Sequence, residues 1–296
     1  MQDFQSRLME NILELHHELK DGSYKHGGYK HFKISDPKPR DIHKATVRDR
    51  LTHHAVHRQL YPYFDRRFIA DSFSCRRGKG THRAMNRFRT FAFKVSRNHT
   101  RTCYVLKCDI RKFFAPIDQS VLMEILGTHI RDSRLLGLVK EVVGSFDSGL
   151  LGKGLPLGNL TSQLLVNIYM NEFDQFVKHE LKARFYIRYA DDFVILSPDR
   201  QSLVKTLRLI KRFLQAQLKL ELHPDKVFIK TFSSGVDFLG WVHFSDHRVL
   251  RTATKKRMWR RVNESSPSPE ALTSYLGLLK HGNTYKLQQQ FPVDFE

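Results

Sequence analysis

Apolar positions along this chain switch between a helical and a strand period, and the switches predict its elements. Phe4, Leu8, Ile12 and Leu15 fall at helical spacing, which predicts an amphipathic helix over residues 1–21. Residues 22–42 mix aromatic, basic and turn residues and read as strands on a basic surface. Val47, Leu51, Ala55, Val56 and Leu60 return to helical spacing over 46–64, and a basic helix is expected over 78–97 behind "GKGTH". "CYVLKCDIRKFF", residues 103–114, reads as a buried strand that ends in charge and aromatics. Helix is expected over 119–144 and, after the loop "DSGLLGKGLPLGN", over 161–182. There Leu164, Leu165, Ile168, Phe173, Phe176, Val177 and Leu181 lie on or near one face. A hairpin at 186–196, a basic amphipathic helix at 200–218 and a strand and turn at 236–244 follow. From Arg251 the composition shifts: "RTATKKRMWRRV" has six basic residues and no acid, then a breaker and one more helix. No internal repeat is visible.

The hairpin, "YIRYADDFVIL", sets Asp191 and Asp192 side by side between aromatic and β-branched stretches. Asp is a common turn residue, so a plain β-turn accounts for those letters alone. Charge changes the picture. Fifty Lys and Arg against thirty Asp and Glu give +20 and a pI near 10.0. Such a field selects a polyanion, and nucleic acid is the commonest. A membrane is the weaker fit, because no segment reads as a membrane-binding helix and no apolar run approaches the roughly 18 residues that span a bilayer.

At 296 residues, 41% hydrophobic and 11% aromatic, the chain can build a sizeable core, and wholesale disorder is excluded. The acidic opening lacks a compact apolar stretch with a cleavage site and is not expected to be a secretory signal. Cys75, Cys103 and Cys108 form no CxxC pair and read as reduced structural thiols, in keeping with a cytoplasmic setting. His53 and His57 stand at i, i+4, but without an identified partner ligand they are not taken as a metal site.

If the strand at 103–114 pairs beside the hairpin, Asp109 meets Asp191 and Asp192. Three clustered carboxylates repel one another, and divalent metal relieves that cost. Mg²⁺ suits the site, since it takes hard oxygen ligands and keeps positions for water and phosphates. Two such ions about 3.5–4 Å apart can activate a 3′-hydroxyl and stabilise a leaving pyrophosphate.

At these residues the sequence resembles the reverse transcriptases. Tyr-x-Asp-Asp in a hairpin, an upstream strand ending in Asp109 and a Gly-x-x-x-Ser helix start are the core motifs. In the family's order, "DPKPRDI…VRDRLTHHAV", "FIADSFSCRRGKGTHRAM", "LKCDIRKFFAPID", "GKGLPLGNLTSQLLVNIYMNEFD", "RYADDFVIL", "LELHPDKV" and "VDFLGW" run through nearly the whole chain. The resemblance implies an α+β right-hand polymerase whose palm is an antiparallel sheet backed by helices. Its parts would be an N-terminal helix (1–21), fingers (22–98), palm (99–247) and a short basic helical thumb (248–296).

Carried over residue by residue, Asp109, Asp191 and Asp192, with the Ile110 carbonyl, would hold two Mg²⁺ ions, with Mn²⁺ as a substitute. Arg40, helped by Lys38, would grip the incoming triphosphate. Phe114 would block a ribose 2′-hydroxyl, while Phe113 packs, which implies deoxynucleotide substrates. Lys226 would be the general acid for pyrophosphate; a solvated lysine is the alternative. Arg76 and Lys79, the turn Phe238, Leu239 and Gly240, and Lys255, Lys256, Arg257, Arg260 and Arg261 would hold template RNA and the RNA/cDNA duplex, the last five straddling it through phosphates.

One departure narrows the family. "LGNLTSQ" puts Leu157 where most members have Gln, before Gly158, and Gln163 where they have Pro. That pattern resembles the enzymes of diversity-generating retroelements of bacteria and phages, which copy a template RNA with errors at adenines. An aliphatic Leu157 cannot hydrogen-bond the nascent pair, which should weaken discrimination; the alternative is that it only packs under the loop. The same resemblance implies a small basic ring-forming accessory protein. About 50 residues follow the 236–241 turn, enough for a thumb of two or three helices. Competing readings are a defence-associated or minimal intron- or retron-like enzyme, and a non-catalytic RNA-binding module on the same fold.

Overall fold

Helices α1 (Gln2–Ser6) and α2 (Leu8–Asp21) open the chain in a computed structural model that describes residues 2–35, 39–263 and 268–291. The apolar stripe of this segment is largely uncovered. Leu8 and Ile12 are 47% and 42% exposed, and on α2 only Leu15 is fully covered. Helical spacing defines a face but not what covers it.

Strands β1 (Tyr29–Ile34) and β2 (Arg40–Ala45) pair as an antiparallel ribbon, with Tyr29 opposite Ala45 and Ile34 opposite Arg40. α3 (Val47–Asp65) starts at Thr46, whose hydroxyl accepts from the Asp49 N–H. It buries Thr52, His53, Val56, Leu60 and Phe64, whereas Leu51 and Ala55 face out. The buried face keeps the expected Val56 and Leu60 but is rotated away from Leu51 and Ala55, because two polar residues, Thr52 and His53, occupy core positions. α4 (Thr81–Val95) buries Ala84, Phe88, Phe91, Ala92 and Val95.

The central sheet collects β3 (Tyr104–Asp109), β4 (Tyr186–Tyr189), β5 (Asp192–Ser197) and β6 (Phe228–Thr231) in the order β4-β5-β3-β6, all antiparallel. Between β3 and β4 run α5 (Gln119–His129), α6 (Ser133–Gly144) and α7 (Leu160–Gln175); α8 (Arg200–Leu218) links β5 to β6. Strand side chains alternate between two cores. Leu106, Cys108, Tyr186, Phe193 and Ile195 join the cluster built by α3, α5, α7 and α8. Val105, Ile187, Val194 and Leu196 join the cluster under α4. Burial on both faces explains the near-continuous apolar runs "YVLKC" and "FVIL".

The single helix expected over 119–144 is two, because Asp132 caps a new start by accepting from the Arg134 and Leu135 N–H groups. α7 is buried nearly all round rather than along one face, and it runs on into a π-helical turn at Phe176–Glu180. Beyond the sheet, β7 (Val236–Phe238), β8 (Trp241–His243) and β9 (Arg248–Leu250) form a small antiparallel sheet. With α9 (Thr252–Val262), α10 (Pro269–Leu279) and α11 (Tyr285–Gln289) it closes around Trp241, Leu250, Met258, Leu272 and Leu279. Cys75, Cys103 and Cys108 are free thiols; burial pushes Cys103 up to about 12 and Cys108 higher still. Among the described residues no helix is long and apolar enough to cross a membrane.

Candidate active site

Backbone pairing, not side-chain attraction, brings the acids together. β3 and β5 pair so that Asp109 stands opposite Asp192. One residue further, the Ile110 N–H donates to the Asp191 carbonyl at 3.0 Å, and the Asp109 carbonyl accepts from the His223 N–H at 2.8 Å. Asp191 lies in the two-residue turn between β4 and β5. Of the two turn residues only Ala190 has positive φ, at 55°, the pattern of a type II′ hairpin turn that normally favours glycine there.

Two lysines face the acids. Lys226 Nζ lies 2.8 Å from Asp109 Oδ1, and Lys107 Nζ lies 3.4 Å from Asp192 Oδ2. Burial, then the neighbouring Asp191 and Asp109, push the Asp192 carboxyl up to about 7 against the pull of Lys107. Burial and Asp109 also raise Asp191, while Lys226 and Arg40 draw it down. Among the described residues, no three His, Cys, Asp or Glu side chains already form a metal-ligand group. The donor chemistry nevertheless fits a hard divalent cation. Asp192 Oδ1 is buried with no hydrogen-bond partner, and such an oxygen is costly unless something positive meets it.

A cleft of about 1140 Å³ opens onto this end of the sheet. It brings together Asp109, Asp192, Lys226, Arg40, the Leu239–Gly240 turn and Lys256, Arg257 and Arg260 of α9. Leu239 and Gly240 both have positive φ (54° and 85°), as a type I′ turn between β7 and β8 requires. α9 turns Lys256, Arg257 and Arg260 to the cleft because Met258 and Val262 are buried on its other side.

Other expected residues lie elsewhere. Phe238 is fully buried against Phe88, so its side chain packs in the core and does not line the cleft. Arg76 lies outside the cleft: its guanidinium bonds Asp65 at 2.7 Å and the Ile69, Ser72 and Asp65 carbonyls, which straps a loop in place. Lys79 caps the Ala70 carbonyl at 2.8 Å and faces a separate shallow basin. Lys255 is exposed outside the cleft, and Arg261 lines a second cavity beside it. Phe113 is buried and Phe114 half-buried against it, at 5.6 Å between rings; neither lines the cleft. Leu157 does not line the cleft: its carbonyl accepts from the His43 N–H of β2 at 2.9 Å, and its side chain is half-covered. Gly158 has φ of 113°, and a Cβ there would come within 2.7 Å of Ile42. Gln163 is exposed, and Lys38 lies outside the described residues. His53 bonds His26 at 2.9 Å and the Thr161 hydroxyl, while His57 stacks on Tyr61.

Sequence reading missed Lys107, although its place two residues before Asp109 puts it on the same strand face. It also missed Thr81, whose hydroxyl donates to the Tyr189 hydroxyl at 3.1 Å, and the buried Arg188 behind the turn. No local signal marks either.

Comparison with known proteins gives a consistent result. The profile of the family described as "Reverse transcriptase (RNA-dependent DNA polymerase)" matches residues 30–243. Protein YkfC of Escherichia coli K12 is 28% identical, over 88% of this chain and 76% of that protein. The group II intron-encoded protein LtrA of Lactococcus lactis is 24% identical, over 84% of this chain and 51% of that protein. Among solved structures, telomerase of Candida tropicalis in complex with a fragment of telomeric RNA superposes with a TM-score of 0.58 at 12% identity. That match covers 86% of this chain and 48% of the telomerase chain. The chain thus spans about half the length of LtrA and of that telomerase.

Proposed function

Because the chain belongs to the reverse transcriptase family, we propose that it is an RNA-directed DNA polymerase working at the acidic end of the β3–β5 pair. The observation that carries this reading is the register that opposes Asp109 to Asp192, with Asp191 in the adjoining turn, on a cleft that also holds Arg40. Asp109, Asp191 and Asp192, with the Ile110 carbonyl, would hold divalent cations, Mg²⁺ first and Mn²⁺ in its place. Bound there, such ions supply charge neutralisation and Lewis acidity toward a triphosphate. Arg40 meets the triphosphate, and Lys226, already on Asp109, donates a proton to the departing pyrophosphate. Leu239, Gly240, Lys256, Arg257 and Arg260 hold the template–product duplex. In this reading residues 22–98 are fingers, 99–247 palm and 248–296 thumb, and Phe114 is the side chain that would exclude a ribose 2′-hydroxyl.

A narrower reading rests on Leu157 and Gln163. With no side-chain amide at 157, base discrimination is weak, and the enzyme copies template RNA with errors at adenines, as a diversity-generating system requires. A small basic accessory protein belongs to that reading. The kinship with LtrA supports an intron-like role instead.

Primer extension on an RNA template with Mg²⁺, read by sequencing the cDNA beside Asp191→Ala/Asp192→Ala, tests both levels. Metal-dependent cDNA lost in the double variant is the expected result. Errors concentrated at template adenines select the narrower reading, and accurate cDNA selects the intron-like one. Absence of product even with native RNA and a candidate accessory protein overturns the polymerase.

A further inference from the structure

From Ser72 to Cys108 the chain has ten Lys and Arg and not one Asp or Glu. α4 lies in the middle of this block. One side of it is committed to the sheet, through Ala84, Phe88, Phe91, Ala92 and Val95. The other presents Arg83, Arg87, Thr90 and Lys94, which follow one another at i, i+4, i+7 and i+11 and so form one stripe. Arg83, Thr90 and Lys94 are exposed; Arg87 is partly covered and paired with Asp71 at 2.7 Å. The stripe borders a basin of about 360 Å³ floored by Phe73 and Lys79.

The N-terminal end of α4 stands at the cleft. Thr81, the first residue of α4, lines the cleft and bonds Tyr189. His82 lines the neighbouring cavity of about 650 Å³ with Arg257 and Arg261, and it stacks on His281 at 3.6 Å. Arg83 lines the basin. The first turn of α4 therefore touches three separate cavities, of which Arg257 borders the first two.

We propose that the outward stripe of α4 is a second nucleic-acid surface, outside the polymerase cleft, which holds the phosphodiester backbone of a single-stranded RNA extension beyond the duplex. The choice of RNA over an anionic membrane rests on the polymerase reading above and on the start of α4, where Thr81 lines the cleft. Spacing supports it too: α4 is about 22 Å long, so its cations can follow several consecutive phosphates. Phosphate contacts need neither a base pocket nor a defined sequence, which suits a stripe of long, flexible cations.

The test measures equilibrium binding with two probes: an RNA/DNA primer–template short enough to be held wholly in the cleft, and the same duplex with a long oligouridine extension. The extension should tighten binding by wild-type protein about tenfold at low salt and steepen the salt dependence. Arg83→Gln/Lys94→Gln should erase that increment while leaving the short duplex's affinity and extension rate unchanged. Arg83→Lys/Lys94→Arg should restore it, which separates charge from misfolding. An extension that adds nothing, or a variant that weakens both probes equally, overturns the proposal. So does Arg83- and Lys94-dependent binding to phosphatidylserine vesicles with no effect of the extension. Because the readout is binding, a failed polymerase reading would show separately, as absent primer extension with the increment intact.

Discussion

Arg188 and Asp174 form a fully buried, two-toothed ion pair, Nε and Nη2 of the arginine lying 2.8 and 2.7 Å from the two carboxylate oxygens. Tyr186 donates its hydroxyl to the same carboxylate at 2.7 Å, and Arg188 Nη1 reaches the Ala190 carbonyl at 3.2 Å. The pair therefore braces the turn that carries Asp191. Asp174→Asn leaves a buried guanidinium without its counter-charge and should cost about 3–5 kcal/mol in urea unfolding. Asp174→Leu/Arg188→Met should recover most of that stability, yet lose polymerase activity, because nothing then holds the Ala190 carbonyl.

Stability and activity should move in opposite directions at Asp192. Its carboxylate is ionised at pH 8 against burial and two acidic neighbours. Asp192→Asn removes that cost, so in chelator it should unfold about 1–3 kcal/mol harder than wild type. The same variant should lose about a thousandfold or more in primer extension, as loss of a metal ligand implies. A protein less stable than wild type would refute the electrostatic account.

Lys226 can act by its charge or by its proton, and two substitutions separate these. Lys226→Arg keeps a cation beside Asp109 but cannot release a proton near neutral pH. Single-turnover incorporation should fall about 10²-fold in Lys226→Arg and in Lys226→Gln alike, with RNA affinity unchanged. Rescue by arginine would mean that the lysine only holds Asp109.

His243 is buried, its Nε2 is 3.3 Å from the Phe238 carbonyl, and burial lowers it to about 4. A histidine kept neutral in the fold but protonated when unfolded stabilises fully above pH 6.5, and loses that contribution as pH falls from 6.5 toward 4. The loss approaches about 1.4 kcal/mol per pH unit. Asp192 works in the opposite sense across the same window, so the useful quantity is a difference. The pH 7.5-to-5 change in unfolding free energy should be more negative for wild type than for His243→Gln; equal changes would refute it.

The chemistry was legible where residue type and period coincide. A strand ending in Asp109, a hairpin turning at Asp191 and a helix at 200–218 all follow from local pattern, and the structure has them. What the pattern cannot express is who consumes a side chain. Arg76 and Arg257 look alike in sequence, but one is strapped to Asp65 and three carbonyls and the other lines the cleft. Phe238 and Leu239 are adjacent, yet the turn sends one into the core and the other to the cleft. Asp174 reads as one more helix residue until tertiary packing sets Arg188 against it.

The register of β3 against β5 also bears on how the molecule matures. Its two halves are separated by α5, α6, α7 and β4, so the opposed acids come together only after a large loop has closed. Hairpin β4–β5 can form early by itself, but it offers Asp191 and Asp192 without Asp109. If the proposed function holds, a half-folded chain would therefore present basic surfaces to RNA before it has the centre that acts on it. Capture precedes competence, and a recovering pool of refolding protein should regain RNA binding ahead of synthesis.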